Sequence, residues 1–503
     1  MATDEARGGL TAAWWWAAAA VVGAGLILRI LGALGPLWLD EIWTLRLLAE
    51  RAPTPFHIFW SVQHDNVHPL YGVYAWFLGP DPDPLVYRLP AIVLGTGAIA
   101  IAGLIGRRRG RAEALIAMAL VAGSYPMVHF ASEARGYGPM MFCLLTAFWL
   151  IGADLRAGTI ARRYWVALAL TAALLFHVSG ALGALALGLW VIAARYRATR
   201  SVAAAQGWAV RYFTPVTAAY LALALLFLAA IRANGLDFGG GGSREGFDGR
   251  FVEQVGEMAK LLLSLPLALP AWAALALVGA AAAALIAYLA RRGAQDWPLY
   301  ALAVLGLPAL LFAAASPASA YGRYYLFALV FLLPLAAAGL GAAWRAGVAG
   351  KVACAGVLAV MAAGSIQAHA RFLAHGRGDG LAVLRFIAEA ARPAAGQPVV
   401  IAADHRFRLM MSVAPYPVES VGGRRLRVDR VRTYRHGLPP GWVVKHRGPS
   451  AAADPAPPPG RVRVGLGTYR LKAVFRHWGL SGFDWMVYQR EDAPPKGPQR
   501  PAR

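Results

Sequence analysis

Charge is scarce in this chain. Asp, Glu, Lys and Arg make up 15% of its 503 residues, where a soluble globular domain carries about 25%. Acidic residues are scarcer still: 26 against 49 Lys and Arg, which leaves a net charge of +23. Cysteine is nearly absent. Cys143 and Cys354 each sit inside an apolar run, so nothing supports a disulfide framework or a thiolate metal site; both read as small core residues. No internal repeat is visible. The run Gly239-Gly240-Gly241-Gly242 has no strand before it and no Gly-Lys-Ser/Thr after it, which favours a flexible hinge or lid over a phosphate cradle.

What fills the chain is apolar. Hydrophobic residues make up 58% of it, and the mean hydropathy is +0.50. Several runs exceed the roughly 18 to 20 residues needed to cross a bilayer core. The implied fold class is a polytopic all-α membrane protein. Its pI of about 10.6 would by itself suggest a nucleic-acid partner. The basic residues, however, lie in short loops between apolar runs and in the C-terminal part, where they report orientation. No nucleic acid is expected.

Apolar length gives about 11 spans: 13–35, 86–106, 112–130, 138–155, 164–180, 181–195, 212–231, 265–290, 297–315, 324–344 and 350–368. The first is too long for the core of a signal peptide and lacks a strongly basic start, so it reads as a retained span, with Trp14, Trp15 and Trp16 at an interface. Arg107, Arg108, Arg109 and Arg111, then Arg156, Arg162 and Arg163, then Arg195, Arg197, Arg200 and Arg211, then Arg291 and Arg292, then Arg345 and Lys351 all fall on one side. By the positive-inside rule that side is cytoplasmic. The other side holds the long loop 36–87, the turn 132–137, the loops 232–260 and 316–323, and everything after about residue 367.

Past residue 370 no run is long enough to span. Leu381 to Ala391 has helical spacing. Pro398 to Ala402, Trp442 to Val444, Arg470 to Phe475 and Trp485 to Tyr488 are strand candidates. The expected organisation is a membrane domain over 1–369, a small C-terminal α/β extracytoplasmic domain over 370–492 with a linker at Pro455 to Pro459, and a disordered tail over 493–503.

Asp40-Glu41 gives the sharpest chemical signal. Two adjacent acids beside a bilayer are costly unless solvated or used. One could act as a general base on a hydroxyl, or both could bind a divalent cation. The plainer reading is that they cap the helix that follows. In Ser132-Glu133-Ala134-Arg135-Gly136-Tyr137, Glu133 and Arg135 could simply neutralise each other; alternatively the arginine holds a phosphate and the glutamate a sugar or cation. His68, Arg88, His177, Tyr321, Arg323 and Tyr324 are singly more often interface residues, and Arg29 could snorkel to the headgroups. Together they converge on one layer, which suits a substrate with a lipid end and a polar end.

The order Arg29, Leu37-Trp38-Leu39-Asp40-Glu41, His68-Pro69, Glu133-Ala134-Arg135-Gly136-Tyr137, Phe176-His177 and Tyr321-Gly322-Arg323-Tyr324 resembles the GT-C glycosyltransferases. It looks most like the bacterial family 39, protein O-mannosyltransferase and aminoarabinose-transferase group. The resemblance covers about residues 1–370. It implies a multi-pass protein of the bacterial plasma (inner) membrane, N-terminus cytoplasmic. Its partners would be a polyprenyl-phosphate sugar donor, an extracytoplasmic acceptor (glycolipid, polysaccharide or protein) and membrane lipids. The implied reaction is a single displacement that moves a hexosyl or pentosyl group with inversion. On this resemblance Asp40 is the base, Glu41 supports it or shapes the pocket, and Glu133 is a second acid near the sugar. Arg135, Arg323 and Arg88 hold the donor phosphate, whose shape suits a guanidinium fork, while His68, Tyr137, His177, Tyr321 and Tyr324 orient substrate. Leu70 departs from the pattern where some relatives carry a second proline. No cofactor is required; Asp40, Glu41 and Glu133 leave a divalent cation open, though without an assured octahedral set.

Two other classes compete. A flippase or transporter of lipid-linked sugars would place its site near the bilayer midplane, often between inverted repeats; the acids here sit at one face and no repeat is seen. A scaffold would act through the arginine-rich C-terminal part on anionic headgroups.

Overall fold

A computed structural model describes residues 11–62, 64, 66–80, 82–235, 247–314, 321–391, 397–404, 406–407, 425–434, 436–448 and 456–491. The glycine run 239–242 and the tail after Asp492 lie outside them, as does the start of the expected linker at Pro455. The chain forms two compact units. One comprises Leu47–Ala370 with the described residues up to Leu34; the other comprises Gly35–Arg46 with the chain from Arg371 onward.

The first unit is helical. Among the described residues nine helical segments are long and apolar enough to cross a membrane. Ala12–Gly32, Pro84–Arg107, Tyr137–Ala157, Gly180–Thr199, Val202–Asn234, Ala271–Arg291, Trp297–Ala314 and Gly322–Arg345 are eight of them, and the ninth opens with the helix Val348–His375. A bilayer core offers no water to the backbone, so apolar chain there must satisfy its own peptide groups, and the helix does this within one segment. Small residues let neighbouring helices approach. A Cβ on Gly106 would lie 2.6 Å from the backbone oxygen of Glu113 on the adjoining helix Arg111–Gly123.

Two expected spans take other forms. The run 112–130 is broken into Arg111–Gly123 and Tyr125–Phe130. Ser124 between them is extended (φ −59°, ψ 121°), and Pro126 sits in the first turn of the second helix. Proline has no N–H to continue the first helix but costs nothing at the start of a new one. The run 164–180 is a helix of only 14 residues, Arg163–Phe176. It ends where His177 turns extended (φ −161°, ψ 134°), and this break separates it from the next span.

The basic loops gather at one end of this unit. Arg109 donates to Asp296 (2.5 Å) and to Glu113 (3.0 Å), while Arg345 reaches Glu113 at 3.4 Å. Trp14 donates through Nε1 to the Arg111 carbonyl at 3.3 Å, and Arg197 to the Ala294 carbonyl at 3.2 Å. Helices that have Arg107 and Arg156 at this end present Arg88 and Tyr137 at the other.

In the second unit, six strands form one sheet: β1 (Val399–Ala403), β2 (Leu426–Arg430), β3 (Trp442–Arg447), β4 (Arg461–Val464), β5 (Gly467–Phe475) and β6 (Asp484–Arg490), in the order β2-β1-β3-β6-β5-β4. β1 is parallel to β2 and β3, and the other pairs are antiparallel. One face buries Ala402, Val443, Tyr469 and Tyr488. Trp442 and Phe475 meet Phe386 of the helix Gly380–Ala390. That helix is capped by Asp379, which accepts from Ala382 N–H at 2.9 Å. The expected helix and four strands are all present; β2 and β4 were not foreseen. Asp484 is the polar hub. It accepts from the backbone and ring of His477, each at 2.9 Å, and from Arg447 Nε at 3.0 Å. Burial pushes its carboxyl up, but the bonds from His477 and Arg447 win and hold it at about 2.

Candidate functional site

At the end of the helical unit opposite the basic loops, a cluster forms from four separate stretches of chain. Arg135, 2% exposed, donates through Nε to His68 Nε2 (3.2 Å) and through a terminal nitrogen to Asn66 Oδ1 (3.0 Å). Its guanidinium lies 4.9 Å from the centre of the Tyr137 ring. That ring is 4.4 Å from His177 and 5.5 Å from His68, and the two imidazoles are 5.1 Å apart. Tyr324 closes the row 5.9 Å from His177. Arg323 packs on both Tyr321 (5.3 Å) and Tyr324 (5.6 Å).

Local sequence explains each placement. His68 is the residue before helix Pro69–Leu78, held extended (φ −102°, ψ 103°) as a residue preceding proline prefers. Tyr137 opens its helix immediately after Gly136. A Cβ on Gly136 would lie 2.6 Å from the carbonyl carbon of Phe176 and nearer still to its oxygen, so only glycine lets the turn press against the backbone that carries His177. His177 Nδ1 accepts from Ser179 N–H at 3.1 Å, which leaves the ring proton of the neutral form on Nε2.

Burial, and after it the positive charge of Arg135, drives both histidines well below the usual imidazole range; Arg323 adds to the same effect. Both rings are therefore neutral at physiological pH. The two guanidiniums carry the charge, framed by the rings of His68, Tyr137, His177 and Tyr324. Such a centre can bind an anion with bidentate geometry and offer ring faces to a sugar.

The other sequence-selected residues sit as follows. Asp40 and Glu41 occupy the first turn of helix Leu39–Arg51. Glu41 Oε2 accepts from Trp38 N–H at 3.0 Å, the reach-back half of a capping box. The plain reading of Glu41 as a cap is therefore realised. Asp40 is 9% exposed. Glu133 is fully buried with an oxygen 3.1 Å from His129 Nε2, while His129 Nδ1 faces the Tyr125 hydroxyl at 2.9 Å. Arg88 is fully buried and donates to the Ala33 carbonyl at 2.6 Å, which ties it to the end of the first helix. Arg29 is also fully buried and bonds the Gly25 and Val121 carbonyls at 2.9 and 3.2 Å, so it braces helices instead of snorkelling. Among the described residues no group of three or more His, Cys, Asp or Glu could share a metal ion. Sequence reasoning missed Asn66 and His129. His129 stands four residues before Glu133, a helical spacing that was available as a signal; Asn66 had none.

Next to the cluster lies an apolar cavity of about 250 Å³, lined by residues that include Phe251, Val278, Val304, Phe312, Tyr325 and Leu329. Tyr325 belongs to the same short turn, Gly322–Tyr325, as Arg323 and Tyr324.

Fold and site together define a multi-pass helical membrane protein with a cationic, aromatic-lined centre and a C-terminal sheet domain. No family model matches the sequence, and no curated protein matches it. Solved structures similar to this chain include two with a bound polyprenyl phosphate. One is the archaeal oligosaccharyltransferase AglB from Archaeoglobus fulgidus, in complex with an inhibitory peptide and a dolichol-phosphate, at 11% identity over 86% of this chain and 69% of that one, TM-score 0.48. The other is ArnT from Cupriavidus metallidurans, bound to undecaprenyl phosphate, at 15% identity over 97% of this chain and all (100%) of that one, TM-score 0.43.

Proposed function

We propose that this protein transfers a hexosyl or pentosyl group from a polyprenyl-phosphate donor to a hydroxyl of an extracytoplasmic glycolipid, polysaccharide or protein. The carrying observation is the pair Arg135 and Arg323 around neutral His68, Tyr137, His177 and Tyr324. A lipid-linked phosphosugar needs a phosphate grip, ring faces for the sugar and an apolar place for its tail. The cavity beside Tyr325 supplies the last.

In the proposed step the acceptor oxygen attacks the anomeric carbon as the bond to the phosphate oxygen breaks. Asp40 takes the hydroxyl proton, and the polyprenyl phosphate leaves with the bonding pair. Arg135 and Arg323 stabilise the charge that grows on that leaving group, where preorganised donors count most. Glu41 acts through the cap it makes. His68 and His177, being neutral, orient the sugar and leave the phosphate to the arginines. The cluster's place at the bundle end supports transfer over transport, whose sites lie near the midplane. The reading also puts the protein in a bacterial inner membrane with the basic loops cytoplasmic.

The test is mass spectrometry of envelope lipids and glycans from wild type, deletion and Asp40→Asn strains at matched expression. Loss of the same sugar in deletion and Asp40→Asn, with build-up of a polyprenyl-phosphate sugar, is expected. An Asp40→Asn strain identical to wild type beside a deletion phenotype would refute the assignment and bring transport forward.

A further inference from the structure

Asp40 and Glu41 lie in Gly35–Arg46, a stretch that groups with the C-terminal unit although it lies early in the chain. Leu37, Trp38, Leu39 and Ile42 are each at most 3% exposed. Helix Leu39–Arg51 continues past Arg46 into the first unit, but a dozen residues cannot bury four apolar side chains among themselves, so the burial of these four comes from the unit they pack in. The bond from Trp38 N–H to Glu41 Oε2 closes the first helical turn around Asp40, and the Asp40 carbonyl accepts from Thr44 Oγ1 at 3.0 Å. The backbone that carries the Asp40 side chain is thus fixed in a local frame, and that frame belongs to the C-terminal unit.

We propose that the C-terminal sheet domain is the positioning element for Asp40: it folds Gly35–Arg46 and thereby fixes the carboxylate's orientation. The catalytic half of this inference rests on the transferase reading; the packing half does not. A structural domain merely appended to the chain would leave Gly35–Arg46 ordered when the sheet loosens. A positioning domain would not.

The experiment is hydrogen–deuterium exchange on the full chain in lipid nanodiscs. It compares wild type with Asp484→Asn, which removes the charge and one of the two acceptor oxygens that hold His477 and Arg447, and with Asp154→Asn, which does the same to the carboxylate facing Arg162 and Tyr212 in the helical unit. Peptides across 37–46 should exchange roughly tenfold faster or more in Asp484→Asn, in step with β3 and β6, and be unchanged in Asp154→Asn. Unchanged exchange at 37–46 while the sheet loosens overturns the proposal, as does a response to Asp154→Asn. Should Asp484→Asn fail to accumulate, urea titration of wild type decides instead. A shared midpoint for 37–46 and the sheet supports the proposal, and a midpoint shared with Arg163–Phe176 overturns it. In a wild type that transfers sugar, Asp484→Asn should lower kcat with the donor KM kept; loosened 37–46 with full kcat overturns positioning. A wild type with no transfer refutes the transferase reading, while the exchange results still decide the packing.

Discussion

Gly136→Ala isolates the geometry of the cationic centre. Gly136 has φ −77° and ψ 0°, so alanine is conformationally acceptable and the cost is purely steric. The new methyl would meet the carbonyl oxygen of Phe176 most closely of all, and stand 2.6 Å from its carbonyl carbon and 3.1 Å from its Cα, where such atoms need about 3.5 Å. No side-chain rotation relieves a backbone clash. The two segments must part by more than about 1 Å, and the ring of His177, 4.4 Å from Tyr137, moves with Phe176. Overpacking of this kind costs about 1 to 3 kcal/mol of stability, which a bundle of this size survives. A 1 Å misplacement of orienting groups costs about a hundredfold in rate. The assay is turnover of purified enzyme in nanodiscs on a polyprenyl-phosphate sugar, with Gly188→Ala as control, since a Cβ there meets nothing within 4 Å. A loss of about a hundredfold in kcat for Gly136→Ala, at normal expression and with Gly188→Ala near wild type, is expected. Full activity in Gly136→Ala would refute the argument that this turn holds the site together.

Arg135→Lys keeps the charge but cannot serve His68 and Asn66 together as the guanidinium does; transfer should fall about tenfold to a hundredfold, measured in the same assay. His68 and His177 bind protons in the folded chain only well below 6.5. The rate should therefore show no histidine limb between about pH 6.5 and 8, and stability should decline as pH falls below 6.5, where only the unfolded chain takes up those protons. Asp484 titrates at about 2 folded against 3.8 ordinarily. Its contribution of about 2 kcal/mol is present above pH 4 and lost toward pH 2; acid unfolding of the sheet, followed by tryptophan fluorescence, should lose that step in Asp484→Asn.

How much of this was visible in the sequence depends on how far apart the partners lie. Uninterrupted apolar runs gave most spans their place. The break at Ser124 escaped because one proline inside a run of apolar residues barely changes hydropathy, although it removes the donor the helix needed. β1, β3, β5 and β6 announced themselves by apolar or aromatic content. β2 and β4, Leu-Arg-Val-Asp-Arg and Arg-Val-Arg-Val, did not, because among the described residues they are the sheet's two outermost strands, with exposed positions where arginine is tolerated. Individual site residues were legible as types out of place in a membrane. Their meeting was not: Arg135 reaches partners 67 and 69 residues away, and the need for glycine at 136 exists only because Phe176 arrives there.

Those arginine-bearing margins have a consequence for life in a crowded bilayer. Copies of a membrane protein diffuse in two dimensions and meet far more often than the same number in bulk water. A bare strand with open peptide groups would then invite sheet-to-sheet fusion between neighbours. Here each outermost strand exposes two arginines, Arg427 and Arg430 on one and Arg461 and Arg463 on the other. The same edge docked from a second copy would bring arginine against arginine, offset only in part by the carboxylates Asp429 and Glu491 that hold Arg427 and Arg461, and like charges side by side disfavour pairing. The sheet can therefore be abundant in the membrane and still remain solitary.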